Sequence, residues 1–316
     1  MRETVIAVDI GGTKTVVALA DRDAHVIDAV TAPTPAAEGP DAVIGTVARL
    51  AREVVARTGS VSVRGAGVGT AGVVDTATGT IISATDTFAE WPGTPVAALL
   101  RRALGALLAP EAVVFVQNDV DAHAQGEGAF GAAAGAASAL VVAVGTGIGA
   151  GILLDGRPLR GAHGVAGELA HVPVPGAEGL RCPCGRPGHL EALGSGVGMH
   201  RRYLALGGDP SARDARAVAR RAADGELIAQ RALAESAEAV GRAIAGAATL
   251  LDPERVVITG GVPGIGDAWW TPMRDAYRAE AIDALGDLPV VPGRLGGEAP
   301  LRGAAVSVWE RIGESS

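Results

Sequence analysis

Two segments of this 316-residue chain share one design, in which a glycine turn joins two apolar strands. In the first segment, an apolar run at residues 4–10 carries Asp9 near its end, continues into a Gly-Gly-Thr turn and leads to a second apolar run at residues 16–19. This pattern predicts a β-hairpin. Glycine lets the backbone approach a ligand closely and present its N–H groups to an anion. The turn therefore predicts a polyphosphate cradle, although a plain tight hairpin explains the same residues.

The residues of this first turn suit a magnesium nucleotide. Lys14, the only lysine among 27 basic residues, ends the turn, and Thr13 adds a hydroxyl group. Asp9 places a carboxylate at the strand end, where it can hold Mg²⁺ or one of its waters. The nucleotide-binding residues predicted here are Asp9, Gly11, Gly12, Thr13 and Lys14.

Two further glycine turns follow later in the chain. A Gly-Thr-Gly turn separates two apolar runs within residues 142–151, and a Gly-Gly pair follows the apolar run at residues 255–258. Paired glycines after a buried strand allow an adenosine to lie against the backbone. The order of the three turns predicts two related halves that hold one nucleotide, ATP, in a cleft. The nucleotide contacts predicted here are Gly145, Thr146, Gly147, Gly260 and Gly261.

Composition limits the classes of protein to which this chain can belong. Apolar residues make up 48% of it, charged residues 20%, and the net charge is −8. A nucleic-acid surface needs a clustered excess of Lys and Arg, so it is disfavoured. Residues 129–154 carry no charge and are long enough to cross a bilayer, but several glycines weaken a helix there, and two buried strands explain them better. We therefore expect a cytoplasmic protein without a signal peptide, membrane partner or nucleic-acid partner.

The chain is long enough for two domains, and its apolar periodicities alternate strands with helices, as in α/β folds with a mixed sheet. We predict an N-terminal α/β lobe at residues 1–118, with a C-terminal helix at 301–316 packing back on it, and a C-terminal α/β lobe at 119–300. Besides the two hairpins, helices are predicted at residues 41–58, 95–108, 119–130, 211–223, 226–251, 268–285 and 301–312, and strands at 24–31, 64–69, 80–83, 112–116, 255–258 and 288–291.

A candidate catalytic carboxylate follows the predicted strand at residues 112–116. Gln117, Asn118 and Asp119 come next and open a helix. Ligands of α/β proteins gather at this end of the strands. Asp119 is suited to accept the proton of a substrate hydroxyl that attacks a γ-phosphate, while Asn118 holds a neighbouring hydroxyl. A helix N-cap explains the same residues, because Asn and Asp are favoured there.

An irregular region at residues 161–188 is too long for an ordinary connection, so it is either functional or held together by something else. Glu168, His171 and Glu191 flank it and offer acceptors for sugar hydroxyls, although exposed loop charge is the alternative. Two cysteines and a histidine lie within eight residues in this region, and with a second histidine they suit tetrahedral Zn²⁺. A structural zinc would order the loop at residues 163–190, whereas simple burial of reduced thiols is the other interpretation. The predicted zinc ligands are His171, Cys182, Cys184 and His189.

Taken in order, these motifs resemble the ROK family of sugar kinases and repressors. The resemblance runs from residue 4 to about residue 305 and is carried by Asp-Ile-Gly-Gly-Thr-Lys (9–14), Asn-Asp (118–119), Gly-Thr-Gly-Ile-Gly (145–149), Gly-Glu-Leu-Ala-His (167–171), Cys-Pro-Cys-Gly-Arg-Pro-Gly-His-Leu-Glu (182–191) and Gly-Gly (260–261). It implies an α/β, actin-like, hexokinase-type (ribonuclease H-like) two-lobed ATPase fold with mixed sheets, closing over a sugar and ATP. It also implies that Asp119 is the base, that zinc sits beside the sugar, and that the sugar touches Gly72, Asp86, Asn118, Asp119, Glu168, His171 and Glu191.

The chain departs from the family pattern at several positions. The family usually has glycine at Ala170, cysteine at His189, and asparagine at Asp121 and near Asp86, and it often has Pro-Gly where this chain has Ala71-Gly72. Because histidine is a competent zinc ligand, we expect the metal to be retained. An acid at position 86 accepts hydrogen bonds but does not donate them when ionised, so it affects the choice of sugar.

The resemblance implies an ATP-dependent hexose kinase that acts on glucose or an N-acetylhexosamine, at O6, with Mg²⁺ and a structural Zn²⁺, as a homodimer or homotetramer. The alternative is a non-catalytic, sugar-binding regulator of the same family. Repressors of the family carry a helix-turn-helix domain before the first glycine turn, and this sequence has only a few residues there. That difference favours the enzyme.

Overall fold

The computed structural model describes residues 2–85 and 87–314, so Asp86, a predicted sugar contact, lies outside the described residues. The chain divides into two compact units. Unit 1 consists of Met1–Gly135, Ile152–Ala166 and Arg294–Ser316, and unit 2 consists of Ala136–Gly151 and Gly167–Gly293.

Strands and helices alternate along most of the chain. The strands are β1 (Arg2–Ile10), β2 (Lys14–Ala20), β3 (Val26–Pro33), β4 (Val61–Thr70), β5 (Val73–Asp75), β6 (Thr80–Ser83), β7 (Leu108–Asn118), β8 (Ser138–Val144), β9 (Ile148–Leu154), β10 (Arg157–Pro158), β11 (Arg255–Thr259) and β12 (Val290–Pro292). The α-helices are α1 (Pro40–Thr58), α2 (Val96–Leu104), α3 (Asp119–Phe130), α4 (Glu191–Gly194), α5 (Gly196–Ala205), α6 (Ala215–Ala223), α7 (Leu227–Leu251), α8 (Asp267–Glu280) and α9 (Ala299–Glu314).

The main sheet of unit 1 has the mixed order β3-β2-β1-β4-β7. β1 is antiparallel to β2 and parallel to β4, and β7 is parallel to β4. Successive side chains of a strand point to opposite faces. Accordingly, Ile6 and Val8 join the core that contains α1 and α2, whereas Val5 and Ala7 pack with α9. The sheet therefore carries a layer of helices on each face.

Helices α3 and α9 approach each other closely because glycine lies at their contact. A Cβ atom on Gly303 would overlap the carbonyl oxygen of Ala122, and one on Gly126 would overlap the carbonyl oxygen of Ala299. Any larger side chain at either position would push the two helices apart. This contact fixes α3, whose first residue is Asp119, on the face of the sheet that α9 covers.

The second five-stranded sheet has the order β10-β9-β8-β11-β12. β11 lies between β8 and β12 and is parallel to both. β8 and β11 are nearly continuous buried apolar runs, as parallel strands covered on both faces require. The division between the units falls within β9, whose last residues pair with β10 in unit 1. The carboxyl ends of β8 and β11 therefore lie side by side within unit 2.

The two units group the chain differently from the predicted lobes, whose boundary at residue 118 stays a prediction. α3 belongs to unit 1, because it packs on α9, and residues 152–166 belong to unit 1 as well. Three predicted helices are shorter than expected. α6 begins at Ala215, where the Asp214 side chain caps it by accepting from the Ala217 N–H. α2 ends at Leu104 where β7 soon begins, and α8 ends at Glu280 because Ala281 adopts an extended backbone.

Helix α5 was not predicted, because its glycines are typical of a loop. A Cβ atom on Gly196 would lie 2.8 Å from the carbonyl oxygen of Gly145, so the helix needs glycine where it meets that turn. Ser195 caps the helix by accepting a hydrogen bond from the Gly198 N–H at 2.9 Å, and serine before this segment was the available signal.

The uncharged residues 129–154 form the end of α3, a loop and the strands β8 and β9, as predicted. Among the residues described, no helix combines the length and the apolar character needed to span a bilayer.

Candidate active site

The first predicted nucleotide turn joins β1 to β2 in unit 1. The Gly11 N–H donates to the carbonyl oxygen of Lys14 at 3.1 Å, and Thr34 Oγ1 donates to the carbonyl oxygen of Gly11 at 2.7 Å. A Cβ atom on Gly12 would lie 2.5 Å from Cγ2 of Thr87. Gly12, Thr13 and Lys14 are exposed, so their polar groups are available to a ligand. The sequence analysis did not single out Thr34, because a threonine in a loop carries no distinctive pattern.

Asn118 is the N-cap of α3. Its Oδ1 accepts from the Val120 N–H at 2.8 Å, and its Nδ2 donates to the carbonyl oxygen of Gly72 at 3.0 Å. Gly72 has φ of +102°, and a Cβ atom there would lie 2.7 Å from the carbonyl oxygen of Ser83. The capping role that the sequence left open is therefore present. It also joins Asn118 to Gly72, two residues that were predicted to touch the sugar.

Asp119 lies close to Asp9 at the carboxyl ends of the parallel strands. Asp9 pairs in register with Gly69 of β4, and a Cβ atom on Gly69 would lie 3.3 Å from Cα of Asp119. Burial and then the Asp119 carboxyl group raise the pKa of Asp9 from 3.8 to about 7, while Lys14 acts to lower it. Two acidic groups held this closely and partly shielded from water favour a bound cation between or beside them.

In unit 2, the second and third glycine turns lie against each other. The Gly145 N–H donates to the carbonyl oxygen of Gly147 at 2.8 Å in the turn between β8 and β9. Gly260 has φ of +100°, and a Cβ atom there would overlap the carbonyl oxygen of Val144. The same carbonyl accepts from the Val262 N–H at 3.0 Å. The two turns that were predicted to contact one nucleotide therefore meet at one edge of the sheet.

An apolar cavity of about 550 Å³ adjoins the third turn. Ile265, which lines it, donates its N–H to the carbonyl oxygen of Val262 at 3.0 Å, so the cavity wall continues from the turn. Ala222 and Leu233 also line it, and Arg220 is a polar side chain on its wall. Its size falls within the range of small-molecule sites. Alanines on three helices gave no sequence signal for it.

Glu191 contacts the second glycine turn. Its Oε2 accepts from the Ile148 N–H at 2.6 Å, and a Cβ atom on Gly147 would lie 2.7 Å from its Oε1. Burial raises the pKa of Glu191 to about 7; the Ile148 N–H lowers it, and the nearby Glu168 carboxylate raises it. Burial also raises the pKa of Glu168. The two carboxyl groups therefore lie close together on unit 2, as their predicted shared role requires.

The cysteine and histidine side chains of the long loop converge. The candidate ligand atoms of His171, Cys182, Cys184 and His189 all lie within 4.8 Å of one another. His171 Nδ1 is 3.6 Å from Cys182 Sγ, and His189 Nδ1 is 3.2 Å from Cys184 Sγ. Two thiol groups and two imidazoles in this arrangement fit a tetrahedral Zn²⁺. The other ring nitrogen of His171, Nε2, lies 3.6 Å from a Glu168 oxygen, so one ring faces both the thiols and the sugar-binding candidates.

Each unit thus contains some of the predicted site residues. Unit 1 contains Asp9, Gly11, Gly12, Thr13, Lys14, Gly72, Asn118 and Asp119. Unit 2 contains Gly145, Thr146, Gly147, Glu168, His171, Cys182, Cys184, His189, Glu191, Gly260 and Gly261. The sequence did not anticipate Thr34 or the residues that line the cavity.

The fold is the two-lobed actin-like fold of sugar kinases, with mixed sheets. The ROK hexokinase of Thermus thermophilus superposes with a TM-score of 0.84 at 32% identity, covering 98% of this chain and 99% of that one. A ROK family glucokinase from Streptomyces griseus, solved in complex with glucose and AMPPNP, gives a TM-score of 0.82 at 27% identity, covering 97% and 99%. The ROK family model matches residues 5–311. The chain belongs to the ROK family.

Curated relatives agree with this assignment. The chain is 31% identical over 323 residues to the glucokinase of Thermotoga maritima, covering 98% of each protein. It is 36% identical over 303 residues to the bifunctional enzyme NanE/NanK of Brucella suis, covering 95% of this chain and 52% of that protein. The chain therefore spans about half the length of the Brucella relatives that it matches.

Proposed function

We propose that this chain transfers the γ-phosphoryl group of ATP to a hexose hydroxyl, with Asp119 as the general base. The class of enzyme follows from relatives that match nearly end to end and are named glucokinase or hexokinase, so the chain is a sugar kinase. The observation that carries the catalytic assignment is the position of Asp119 at the start of α3, beside Asn118 and close to Asp9.

ATP is the proposed phosphoryl donor. The Streptomyces griseus relative was solved with AMPPNP, and this chain has three glycine turns with exposed or half-buried backbone. The adenosine would lie against Gly260 and Gly261 and enter the cavity beside Ile265. The phosphates would accept hydrogen bonds from the turns and a charge-assisted bond from Lys14. Gly11, Gly12, Thr13, Gly145, Thr146 and Gly147 are the remaining proposed phosphate contacts.

Asp9 would hold Mg²⁺ or one of its waters. The metal supplies positive charge at the phosphates when it is bound. The residues present fit this group, because a half-buried carboxyl group with a raised pKa next to a second acid gains most from a cation. With its charge compensated, Asp9 leaves Asp119 to accept the proton of the attacking hydroxyl.

The sugar would be held by carboxylate, amide and imidazole groups. We assign Gly72, Asp86, Asn118, Asp119, Glu168, His171 and Glu191 to this role. Asn118 keeps one amide hydrogen for a hydroxyl, because Nδ2 carries two and one is donated to Gly72. Glucose and N-acetylglucosamine are the proposed substrates, followed by N-acetylmannosamine, and O6 is the proposed acceptor.

We further propose that His171, Cys182, Cys184 and His189 hold a structural zinc. The metal would order the loop and fix the His171 ring, whose Nε2 faces Glu168. The active enzyme is proposed to be a homodimer or homotetramer.

A screen of hexoses and N-acetylhexosamines with ATP and Mg²⁺ tests the proposal. We expect ADP release with glucose or an N-acetylhexosamine, and NMR of the product should place the phosphate on O6. Asp119→Asn should lower kcat by about 10²- to 10⁴-fold, the usual contribution of a general base, while sugar binding by calorimetry changes little. Asp155→Asn is the matched control, because Asp155 is exposed with φ of +51°, a conformation that asparagine tolerates.

Normal turnover by Asp119→Asn would disprove the assigned base. If the unmodified chain bound a sugar but phosphorylated none of those tested, the non-catalytic regulator that Ala170 and His189 suggest would be favoured instead.

A further inference from the structure

Arg160 contacts the residues on either side of the candidate base in the sequence. It follows β10 in unit 1. Its Nη2 donates to Gln117 Oε1 at 2.8 Å, and its Nε lies 3.6 Å from Asp121 Oδ2. Gln117 precedes Asp119 by two residues and Asp121 follows it by two. One guanidinium group therefore spans the junction between β7 and α3.

Both contacts continue into the structure around the junction. Gln117, which is fully buried, donates through Nε2 to Ser307 Oγ of α9 at 2.9 Å. The Asp121 N–H donates to Oδ1 of the Asn118 cap at 3.3 Å. A displacement of Arg160 would therefore affect both the last residues of β7 and the first turn of α3.

The surroundings of Arg160 favour arginine over other cations. Its Cζ lies 5.6 Å from the centroid of the Phe115 ring, and its Nε is buried and makes no hydrogen bond among residues 2–85 and 87–314. The Asp121 carboxylate, 3.6 Å from this Nε, offsets charge of the guanidinium. The Arg160 carbonyl oxygen accepts from the Ala166 N–H at 3.1 Å, which closes the following loop and holds the residue in place. A lysine has no planar fork with which to reach two partners.

We propose that Arg160 is a positioning residue for Asp119. By holding Gln117 and Asp121, it fixes the backbone from which the Asp119 carboxylate projects. This inference rests on the proposed function of Asp119. A carboxylate misplaced by about 1 Å is expected to lower the rate by roughly 10- to 100-fold without a comparable loss of sugar binding.

The test compares Arg160→Met with Arg311→Met. Arg311 is a matched control, because its guanidinium stacks on the same Phe115 ring, 3.3 Å from the centroid, and its Nη1 donates to the carbonyl oxygen of Ser307 at 2.8 Å. We expect Arg160→Met to lower kcat by at least about 10-fold with the sugar KM changed less than about threefold, and Arg311→Met to change kcat less than about twofold. Arg160→Lys should fall between wild type and Arg160→Met.

A second readout does not depend on activity. Hydrogen exchange of the Val120 and Asp121 amides should be faster in Arg160→Met and in Asp121→Asn than in wild type or Arg311→Met, and the double variant Arg160→Met/Asp121→Asn should be no faster than Arg160→Met alone. Unchanged exchange and kcat in Arg160→Met would overturn the inference, as would equal losses in both arginine variants. If Asp119→Asn is fully active, the proposed base fails independently of these results.

Discussion

The fold holds the Asp9 carboxyl group in surroundings that disfavour its ionised form. Asp9 lies at the end of β1, half-buried and next to a second acid, and Lys14 offsets part of its charge. Because burial and the Asp119 carboxyl group raise its pKa to about 7, the folded chain retains a proton that the unfolded chain releases at lower pH. Folding stability therefore falls as the pH rises from about 4 to about 7 and stays reduced above that interval.

Asp9→Asn should stabilise the metal-free protein while it weakens catalysis. We expect a gain of about 2 kcal/mol at pH 8, half of the roughly 4 kcal/mol that the pKa shift would give without solvent screening, and no gain below about pH 4. Urea unfolding across this pH range measures the effect, with Asp155→Asn as the control. A stability change that is the same at pH 4 and pH 8 would show that the charge of Asp9 is not its cause.

At this scale, residue type and order were sufficient to select candidates but not to assign their partners. Asn118 and Asp119 were chosen because they follow a strand and open a helix. The hydrogen bond from Asn118 to Gly72 depends on a backbone carbonyl 46 positions away in the sequence. Glu191 is likewise predicted to contact the sugar. Its hydrogen bond from the Ile148 N–H arises from packing that no local sequence pattern encodes.

Among the helices, the contact between α3 and α9 offers a sharp test of packing. Gly303→Ala should destabilise unit 1 by about 3 kcal/mol, because the added methyl group would overlap the Ala122 carbonyl oxygen. Gly313→Ala lies on the same helix with nothing within 4 Å of the added carbon, so it should leave stability unchanged or raise it by up to about 1 kcal/mol. Chemical denaturation of both variants makes the comparison. Similar losses in the two would show that helix propensity, and not the contact, controls the outcome.

The loop that carries Cys182 and Cys184 allows a second test at this scale, which is whether bound zinc holds the loop in place. Purified protein should contain about one zinc per chain by elemental analysis. Cys182→Ser should lose the metal, lower the Tm by at least about 5 °C and expose the segment to proteolysis, because the loop has little regular structure of its own. His163→Ala, at an exposed histidine outside the cluster, should retain the zinc. Wild-type protein that is free of zinc and unaffected by a chelator would contradict the site.

Elements with a strong periodic pattern were predicted well, and those shaped by close contacts were not. The apolar stripe of α1 and the apolar run of β1 gave their positions to within a few residues. α5 escaped because Gly196 and Gly198 resemble a loop, whereas packing against Gly145 and Ala192 is what demands glycine there. Sequence pattern records burial and periodicity, but it does not record how near another backbone lies.

For the molecule as a whole, the order of three glycine turns, a candidate catalytic carboxylate and a cysteine-rich loop was enough to predict the fold and the family. The grouping of chain segments was harder. Unit 1 combines three stretches, so no single boundary in the sequence divides it from unit 2. The cavity beside Ile265 was also missed, because helices α6, α7 and α8 contribute small apolar residues that are typical of any core.

The position of α9 has a consequence for how the protein is made. Its residues Leu301, Ala304, Ala305 and Val308 cover the sheet face that carries Val5, Ala7 and Ala18, which are translated before them. This apolar face stays open to solvent until α9 has been translated. Until then the nascent chain exposes a surface on which aggregation and chaperone binding compete with completion of the fold.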